Sequence, residues 1–487
     1  MQHQAARLIS LLSTLALLLS LTLATDAQAN TRKKRPLPPS ATKTSGNTSK
    51  GSTTPTKGQR ASAAIIATGR SSLRALSTPK LTKILKLKDF GSHLVKFGLL
   101  TGDGTTSAVF VQIDKSRTIT CITAVSLASG ETLWQVGTPN KSHFRTTGEI
   151  PVQVFDWNQD GFDDVIYHAN EQLVVLNGND GSAQAVTAKA RPYSIFIHKT
   201  SIFGGRAGLI LVGRSDVELI TPELTTAWVR PNEFFHFPLA VDIDRDGEDE
   251  ILAGYQLLRS DGSLIWDRAD LRIHNDSADF GDVNCDGSPE VAIATSNRSA
   301  LVSASGEILW RGDEYHAQHI TTGNFLPDTC ERQVVTIDRD TEKSGIMRFY
   351  SASGKLLWEV KEIGNRAIIS RVDNWIPELK ESLILVFRSF TGPPRLYDGR
   401  GRTVATLPFP PAMTGKSGHE SFTRHFVQHF DMDNDGREEM IVYNEAQLYI
   451  YSNSAAAATT ATVTSPKASQ GLPNPRIYNS TFYQGMQ

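Results

Sequence analysis

Residues 282–310 read DVNCDGSPEVAIATSNRSALVSASGEILW, and this stretch contains both motifs that recur along the chain. The first motif is an acidic loop in which oxygen-bearing side chains occupy positions one, three and five and glycine occupies position six. The acidic ninth residue, Glu290, begins a short apolar strand. In an EF-hand, an amphipathic helix would follow the loop instead. The second motif is a glycine turn followed by a strand that ends in tryptophan, from Gly306 to Trp310.

The acidic loop occurs four times, at residues 156–164, 242–250, 282–290 and 431–439. Alternating carboxylate and amide oxygens followed by glycine are typical of calcium loops. Because each loop joins two strands, we predict calcium ions that stabilise the fold and take no part in a reaction. The candidate ligands are Asp156, Asn158, Asp160, Asp164, Asp242, Asp244, Asp246, Glu250, Asp282, Asn284, Asp286, Glu290, Asp431, Asp433, Asp435 and Glu439.

The tryptophan motif gives the period of the repeat. Trp266 and Trp310 are 44 residues apart, Trp310 and Trp358 are 48 apart, and Trp134 and Trp266 are 132 apart, which is three intervals of 44. One period holds four antiparallel strands in about 45 residues, the size of one propeller blade. The sequence therefore predicts an all-β protein, a seven- or eight-bladed β-propeller with calcium-binding loops, and the long fixed period disfavours a two-sheet sandwich. Predicted blade starts lie near residues 94, 150, 193, 236, 274, 316, 365 and 424.

The ends of the chain differ in composition from its centre. An apolar run from Leu8 to Leu23, after Arg7 and before Ala27-Gln28-Ala29, predicts a cleavable signal peptide over residues 1–29 and a secreted or periplasmic protein; an uncleaved anchor is the alternative. The predicted order continues with a disordered linker (30–78), the propeller (79–452), a low-complexity linker (453–473) and a C-terminal segment that docks on the propeller (474–487). We predict no transmembrane segment after signal removal.

Net charge and cysteine count narrow the function classes. A formal charge of -1 and the lack of a basic stripe argue against nucleic-acid binding, and we expect a monomer. Three cysteines are too few for a disulfide scaffold. Cys285 and Cys330 fall in comparable loops of neighbouring repeats, so an oxidising compartment would let them pair if their Cα atoms lie within about 7 Å.

Four histidines stand near the predicted blade starts. His236 and His425 lie six residues before Asp242 and Asp431, and His274 and His316 lie eight residues before Asp282 and Asn324. Even separations along a strand place side chains on one face, unless a bulge intervenes. The register therefore predicts a cluster of imidazoles at one mouth of the propeller, opposite the acidic loops. Its predicted neighbours are Asn275, Asp276, Gln318, His319, Arg424 and His429.

Three chemistries could use such histidines. A catalytic zinc site is disfavoured because no compact H-x-x-x-H or H-E-x-x-H spacing occurs, and nucleophilic hydrolysis is disfavoured because no G-x-S-x-G occurs. Proton abstraction from an acidic sugar remains, with a histidine or tyrosine as base and a cation to neutralise the adjacent carboxylate.

The phrases that begin at His236, His274 and His316, together with Arg395–Arg402, resemble the calcium-loop (FG-GAP/VCBS-like) propellers of secreted bacterial polysaccharide lyases, of the rhamnogalacturonan and ulvan type. The resemblance implies β-elimination at a uronic acid of an acidic polysaccharide. It implies His274 and His316 as base or acid, His319 and His236 as positioning groups, Arg424 as the carboxylate partner and Tyr255 or Tyr315 as a reserve proton donor. Asn275, Asp276, Gln318 and His425 are then expected to bind substrate.

Two other functions remain open from the sequence. A calcium-stabilised propeller that serves adhesion or carbohydrate or protein binding explains the acidic loops and the tryptophans equally well, but leaves the histidine register unexplained. A quinone-cofactor dehydrogenase propeller would share the Gly-x-x-x-Trp rhythm, yet the chain lacks an evident cofactor-pocket motif.

Overall fold

The computed structural model describes residues 77–144, 150–190, 192–198, 200–231, 238–271, 275–339, 345–364, 367–376, 379–387, 392–408, 425–433 and 435–454. These residues form 32 β-strands in eight four-stranded antiparallel sheets. The predicted all-β propeller is therefore confirmed, with eight blades, and the seven-bladed alternative is excluded. Each predicted blade start falls one to three residues before the first strand of its blade.

The blades follow one another along the chain. Blades 1 to 4 consist of β2 (Val95–Gly98), β3 (Ser107–Ile113), β4 (Ile119–Ser126) and β5 (Thr132–Gly137); β6 (Val152–Phe155), β7 (Asp164–Ala169), β8 (Gln172–Leu176) and β9 (Ala183–Ala188); β10 (Ser194–His198), β11 (Gly208–Val212), β12 (Asp216–Ile220) and β13 (Thr226–Pro231); and β14 (Leu239–Val241), β15 (Glu250–Ala253), β16 (Gln256–Leu258) and β17 (Leu264–Asp267).

Blades 5 to 8 continue the pattern. They consist of β18 (Asn275–Gly281), β19 (Glu290–Thr295), β20 (Ser299–Val302) and β21 (Ile308–Arg311); β22 (Ala317–Gly323), β23 (Gln333–Asp338), β24 (Ile346–Tyr350) and β25 (Leu356–Lys361); β26 (Ile368–Val372), β27 (Leu383–Phe387), β28 (Arg395–Tyr397) and β29 (Thr403–Thr406); and β30 (Phe426–Phe430), β31 (Glu439–Tyr443), β32 (Gln447–Asn453) and β1 (Pro79–Lys86). Two 3-10 turns, Ser201–Phe203 and Ala269–Leu271, lie in connections.

The ring closes through the first strand of the chain. β1 pairs antiparallel with β32 and supplies the outermost strand of blade 8. The N- and C-terminal parts of the propeller therefore share one sheet, and blade 8 cannot be completed without both.

The first strand of each blade is its innermost strand, and first strands of successive blades contact one another, as β18 and β22 do. All inner strands run in the same direction. We call the face where they begin the upper face, which carries Asn275 and Ala317, and the face where they end the lower face, which carries the acidic loops. The second and third strands of a blade are joined at the upper face.

Apolar packing lies between blades. The buried apolar side chains form eight clusters, and each cluster combines residues of two consecutive blades, including the pair of blades 8 and 1. Leu252 of blade 4 and Ile293 of blade 5, for example, belong to the same cluster. Because a single sheet has no core of its own, blade-to-blade burial supplies the hydrophobic stabilisation.

At five of the eight blade boundaries, a tryptophan of the repeat fastens one blade to the next. Trp266, near the end of blade 4, donates its indole N–H to the carbonyl oxygen of Ala304 in blade 5 at 3.0 Å. Gly306 belongs to the same turn as Ala304, and a Cβ added to Gly306 would lie 2.8 Å from the Trp266 ring. Five blades share this arrangement, through the indoles of Trp134, Trp228, Trp266, Trp310 and Trp358 and the carbonyl oxygens of Gly178, Ser260, Ala304, Ala352 and Gly399.

A disulfide joins blades 5 and 6 at the lower face. Cys285 and Cys330 are bonded, and their Cα atoms lie 5.8 Å apart. The pairing that the sequence left open therefore occurs, and Cys121 is a buried free thiol. Among the described residues, no helix is long and apolar enough to cross a membrane.

The contact between Trp266 and Gly306 predicts that two glycine-to-alanine substitutions lower the free energy of unfolding by different amounts. Gly306 has φ 91° and is packed on Trp266, whereas Gly204 has φ 67° with no atom within 4 Å of an added Cβ. Alanine at positive φ costs about 1–2 kcal/mol at either position, and overpacking adds about 1–3 kcal/mol at Gly306. Urea unfolding should therefore give a larger loss for Gly306→Ala than for Gly204→Ala. Equal losses would contradict the packing role of Gly306.

Candidate functional site

The four acidic loops share one hydrogen-bond pattern at the lower face. The first aspartate accepts from the backbone N–H of the glycine at position six, with distances of 2.9–3.1 Å. Those glycines, Gly161, Gly247, Gly287 and Gly436, have φ between 87° and 94°. The glycine is thus required by the turn that brings the first aspartate back onto the loop.

The ninth carboxylate of each loop closes the turn from the other side. Asp164, Glu250, Glu290 and Glu439 accept from the backbone N–H of the second loop residue at 2.7–3.2 Å. Burial raises the pKa of Asp164 and of Glu250 to about 7 and that of Glu439 to about 8, against the opposing effect of these backbone hydrogen bonds. Buried carboxylates so close to other acids are costly unless a cation neutralises them.

Two of the loops gather carboxylate oxygens closely enough for a cation. One oxygen each from Asp242, Asp244 and Asp246 lie within 4.8 Å of one another, and so do oxygens of Asp431, Asp433 and Glu439. Asp242 Oδ1, and likewise Asp282 Oδ1 in the third loop, is buried and accepts no hydrogen bond from the described residues. Such unsatisfied oxygens and hard ligands fit calcium.

The other two loops differ because asparagine occupies position three. Asn158 Nδ2 donates to Asp160 Oδ2 at 2.9 Å, and Asn284 Nδ2 donates to Asp286 Oδ2 at 3.0 Å. These amides must turn their oxygens inward to act as ligands. In blade 6, which lacks the acidic motif, Gln333 Oε1 accepts from Phe325 N at 3.0 Å and Leu326 N at 2.9 Å, so a neutral amide there replaces the ninth carboxylate.

At the upper face, His316 and Asp276 form a close pair between blades 5 and 6. His316 Nε2 lies 3.0 Å from Asp276 Oδ2; the His316 side chain is 24% exposed and that of Asp276 is 4% exposed. The pair lacks the geometry of a well-formed hydrogen bond, as is common for catalytic groups before substrate binds. An imidazole that reaches solvent beside a buried carboxylate is the arrangement of a general base and the group that orients it.

Asp276 is held by two further side chains. Ser296 Oγ donates to Asp276 Oδ2 at 3.1 Å, and Gln318 Nε2 donates to Asp276 Oδ1 at 2.9 Å. Gln318 Oε1 in turn accepts from Arg339 Nη1 at 2.5 Å. A hydrogen-bonded chain therefore runs from the guanidinium of Arg339 through Gln318 to Asp276, and it fixes the carboxylate that lies next to the His316 imidazole.

The backbone of His316 is fixed by the end of β23. His316 N donates to Asp338 Oδ1 at 2.8 Å, Tyr315 N donates to Asp338 Oδ2 at 3.1 Å, and Arg339 N donates to the carbonyl of His316 at 2.8 Å. Asp338 is 1% exposed and is neutralised by Arg348. The backbone of His316 is thus hydrogen-bonded to the carboxylate of a buried ion pair.

A β-bulge occupies the same position in both inner strands. The register shifts between Asn275 and Ser277 in β18 and between Ala317 and His319 in β22, so the bulged residues are Asp276 and Gln318. The bulges point these two residues toward each other across the blade boundary. They also interrupt the even residue count from which the histidine register was predicted, whereas β30 pairs without a shift.

The remaining predicted site residues have different surroundings. His425 is completely buried, His319 is 4% exposed, and Tyr255 is 3% exposed in the core between blades 4 and 5. Asn275 Nδ2 donates to the carbonyl of Gly254 at 2.7 Å. Tyr315 is 54% exposed beside His316. His236, His274 and Arg424 lie outside the described residues, so their predicted roles stay predictions.

Sequence reasoning missed Arg339, Asp338 and Ser296, because it followed the inner strands alone. Asp338 ends the second strand of blade 6, and Ser296 follows the second strand of blade 5. Their signal was positional: second strands end at the upper face, where the inner strands begin.

A second polar chain links the inner strands of blades 7 and 8. His429 Nδ1 lies 2.5 Å from Glu438 Oε2, and His429 Nε2 lies 2.5 Å from Ser370 Oγ. Despite its burial, Glu438 has a lowered pKa because of His429. Ser370 is only 2% exposed, so this serine–histidine–glutamate chain is a buried structural network rather than an accessible nucleophile.

Comparison with solved structures places the chain among β-propellers. Residues spanning 75% of the chain superpose on 72% of the exotype rhamnogalacturonan lyase YesX with a TM-score of 0.56 and 18% identity. Rhamnogalacturonan lyase YesW gives a TM-score of 0.54 and 16% identity over the same shares. The V. cholerae biofilm matrix protein Bap1 gives a TM-score of 0.55 and 11% identity over 78% of this chain and 91% of that one.

These likenesses establish the class of protein, an eight-bladed β-propeller of the architecture found in rhamnogalacturonan lyases. No protein-family model matches the sequence, and neither does any curated protein sequence.

Proposed function

We propose that this protein is a polysaccharide lyase that cleaves a uronic-acid-containing polysaccharide, of the rhamnogalacturonan or ulvan type, by β-elimination. The pair formed by His316 and Asp276 carries the proposal. It joins a partly exposed base to a buried orienting carboxylate at the upper face. The likeness to two rhamnogalacturonan lyases supports the substrate class at the level of the fold.

The position of Asp276 favours one nitrogen of His316 as the proposed base. A carboxylate can only accept, so its place beside Nε2 favours the tautomer with the proton on Nε2. The lone pair then resides on Nδ1. In β-elimination, Nδ1 takes the proton from C5 of the uronate, the electron pair forms the C4–C5 double bond, and the glycosidic oxygen on C4 leaves with its bond electrons. Asp276 stabilises the imidazolium that forms.

The carbon acid becomes reactive only when the carboxylate of the sugar is neutralised. Arg339 places a guanidinium in the same hydrogen-bonded chain as Asp276, and its backbone N–H donates to the carbonyl oxygen of His316. We assign it the role of cationic partner that the resemblance gave to Arg424, and Arg424 remains a second candidate. The exposed Tyr315 hydroxyl is a candidate acid for the leaving oxygen.

Calcium and export complete the proposal. The buried unsatisfied oxygens of Asp242 and Asp282 support calcium in the lower-face loops. The apolar run before Ala27-Gln28-Ala29 supports secretion, and millimolar calcium outside the cytoplasm would fill even weak loops.

The lyase proposal predicts loss of activity in two variants. With calcium present, the wild-type protein should release an unsaturated, ultraviolet-absorbing product from rhamnogalacturonan, ulvan or another uronate polymer. His316→Ala should lower kcat by about 10²–10⁴-fold because it removes the base. Asp276→Asn should lower it by about 10²-fold, with little change in KM, because the imidazole loses its orienting charge.

Asp270→Asn is the matched control. Asp270 is an exposed carboxylate six residues earlier, paired at the surface with Arg268 and Arg311, so its variant should keep full activity. Absence of product with every polymer would refute the lyase proposal. Full activity in both His316→Ala and Asp276→Asn would instead refute the site.

The calcium proposal predicts a thermal shift. Millimolar calcium should raise the Tm by several degrees, since a ligand bound only by the folded state stabilises it. Calorimetric titration should give about four ions per chain, one for each loop. Asp242→Asn should lose about one of these, whereas Asp261→Asn, which changes an exposed turn carboxylate of the same blade, should lose none. Identical Tm values with calcium and with chelator would contradict the proposal.

A binding propeller without catalysis is the second candidate function. The likeness to the biofilm matrix protein Bap1, with a TM-score of 0.55, favours it at the level of the fold. Binding to the same polymers without an unsaturated product would identify this function.

A further inference from the structure

A second group of metal-binding side chains lies at the upper face, where the ring closes. His93 precedes the inner strand of blade 1, His143 lies after the outer strand of blade 1, and Glu445 lies between β31 and β32 of blade 8. The cluster therefore lies at the boundary between blades 8 and 1, three blade boundaries away from the pair formed by His316 and Asp276. Among the described residues, this is the one metal-competent cluster that contains histidine.

The distances within the cluster fit a shared ion. One ligand atom from each of the three residues lies within 4.8 Å of the other two. His93 Nδ1 and Glu445 Oε1 are 3.6 Å apart, too far for a good hydrogen bond. Two ligands of a tetrahedral zinc ion, with bonds near 2.0–2.2 Å, are about 3.4 Å apart. The separation of these two atoms is therefore close to an edge of a zinc tetrahedron.

The His143 ring is oriented as a metal ligand is. His143 Nδ1 lies 3.0 Å from the carbonyl oxygen of Asn140. A carbonyl only accepts, so Nδ1 carries the proton and Nε2 keeps its lone pair. Metal-bound histidines normally donate their second ring nitrogen in this way. His93 stacks on Phe426, with 5.5 Å between ring centroids and 21° between ring planes.

One buried amide ties together the two segments that carry the histidines. Gln112, 1% exposed, accepts from Asn140 N at 2.8 Å through Oε1 and donates through Nε2 to the carbonyl oxygens of Asp89 at 2.8 Å and Gly91 at 3.2 Å. Gly91 also packs on the turn at Glu445, since an added Cβ would lie 2.0 Å from the Glu445 carbonyl oxygen. The three ligand-bearing segments are therefore held in place by other contacts before any ion binds.

We propose that His93, His143 and Glu445 form a binding site for zinc or a similar divalent transition metal. Two imidazoles and one carboxylate suit zinc, whereas calcium takes oxygen ligands. With three protein ligands, the fourth position is open to water. The ion joins blade 1 to blade 8, so it stabilises the ring at its closure. This site is independent of the proposed lyase activity and of the calcium loops.

The test measures zinc binding to the full chain, free of any histidine tag. The protein is stripped with chelator, dialysed into millimolar calcium and titrated with zinc chloride by calorimetry. Wild type should bind about one zinc per chain, and Co²⁺ in its place should give the visible ligand-field bands of a four-coordinate site. Glu445→Gln and His143→Ala should each weaken zinc binding at least about tenfold.

His316→Ala is the matched control, because it removes a histidine of the same face without touching the three ligands, and it should keep wild-type zinc affinity. Circular dichroism shows whether each variant is folded. The proposal is overturned if wild type neither binds zinc nor gives the cobalt bands, a result that needs no variant to fold. It is also overturned if Glu445→Gln and His143→Ala, both folded, bind zinc as wild type does. Lyase activity plays no part in either outcome.

Discussion

The contact between a tryptophan and the glycine turn of the following blade, made at five of the eight blade boundaries, is the constraint on which the stacking of these blades depends. Each sheet is too thin to bury its own side chains, so stability comes from the eight clusters between blades. Apolar packing is non-directional and would allow neighbouring blades to slide. The indole N–H of Trp266, bonded to Ala304 O and pressed against Gly306, fixes the position of one sheet on the next.

A ring fixed in this way can tolerate local departures from the repeat. The bulges at Asp276 and Gln318 are such departures, and they turn two strand residues into a hydrogen-bonded pair at the upper face. The acidic loops at the opposite ends of the strands keep the regular turn. The acidic loops and the candidate chemistry therefore occupy opposite faces of the blades.

The fold could be predicted from the sequence because its determinants are local and repeated. The turn glycines, which have positive φ, and the tryptophans a fixed distance after them can be read directly from the sequence. The starts of the eight inner strands could be predicted from this repeat. The candidate site could be predicted only in part. His316, Asp276 and Gln318 were found because they precede an acidic-loop position, but the bulges that bring them together leave no mark in a residue count. Arg339 and Asp338 come from the second strand, and only the antiparallel return of the chain brings them beside His316.

The inner strands of blades 5 and 6 are linked at both ends and midway, and the pair formed by His316 and Asp276 lies at this blade boundary. The disulfide of Cys285 and Cys330 holds the lower ends together. Midway, the carboxylate of Asp279 accepts from Thr321 Oγ1 at 2.9 Å and from Thr322 N at 2.8 Å. At the upper end, Gln318 bonds to Asp276. A base and its orienting group must keep their separation to within a fraction of an ångström. Because His316 belongs to one blade and Asp276 to the other, that separation is only as constant as the blade boundary, and three separate links hold this boundary fixed.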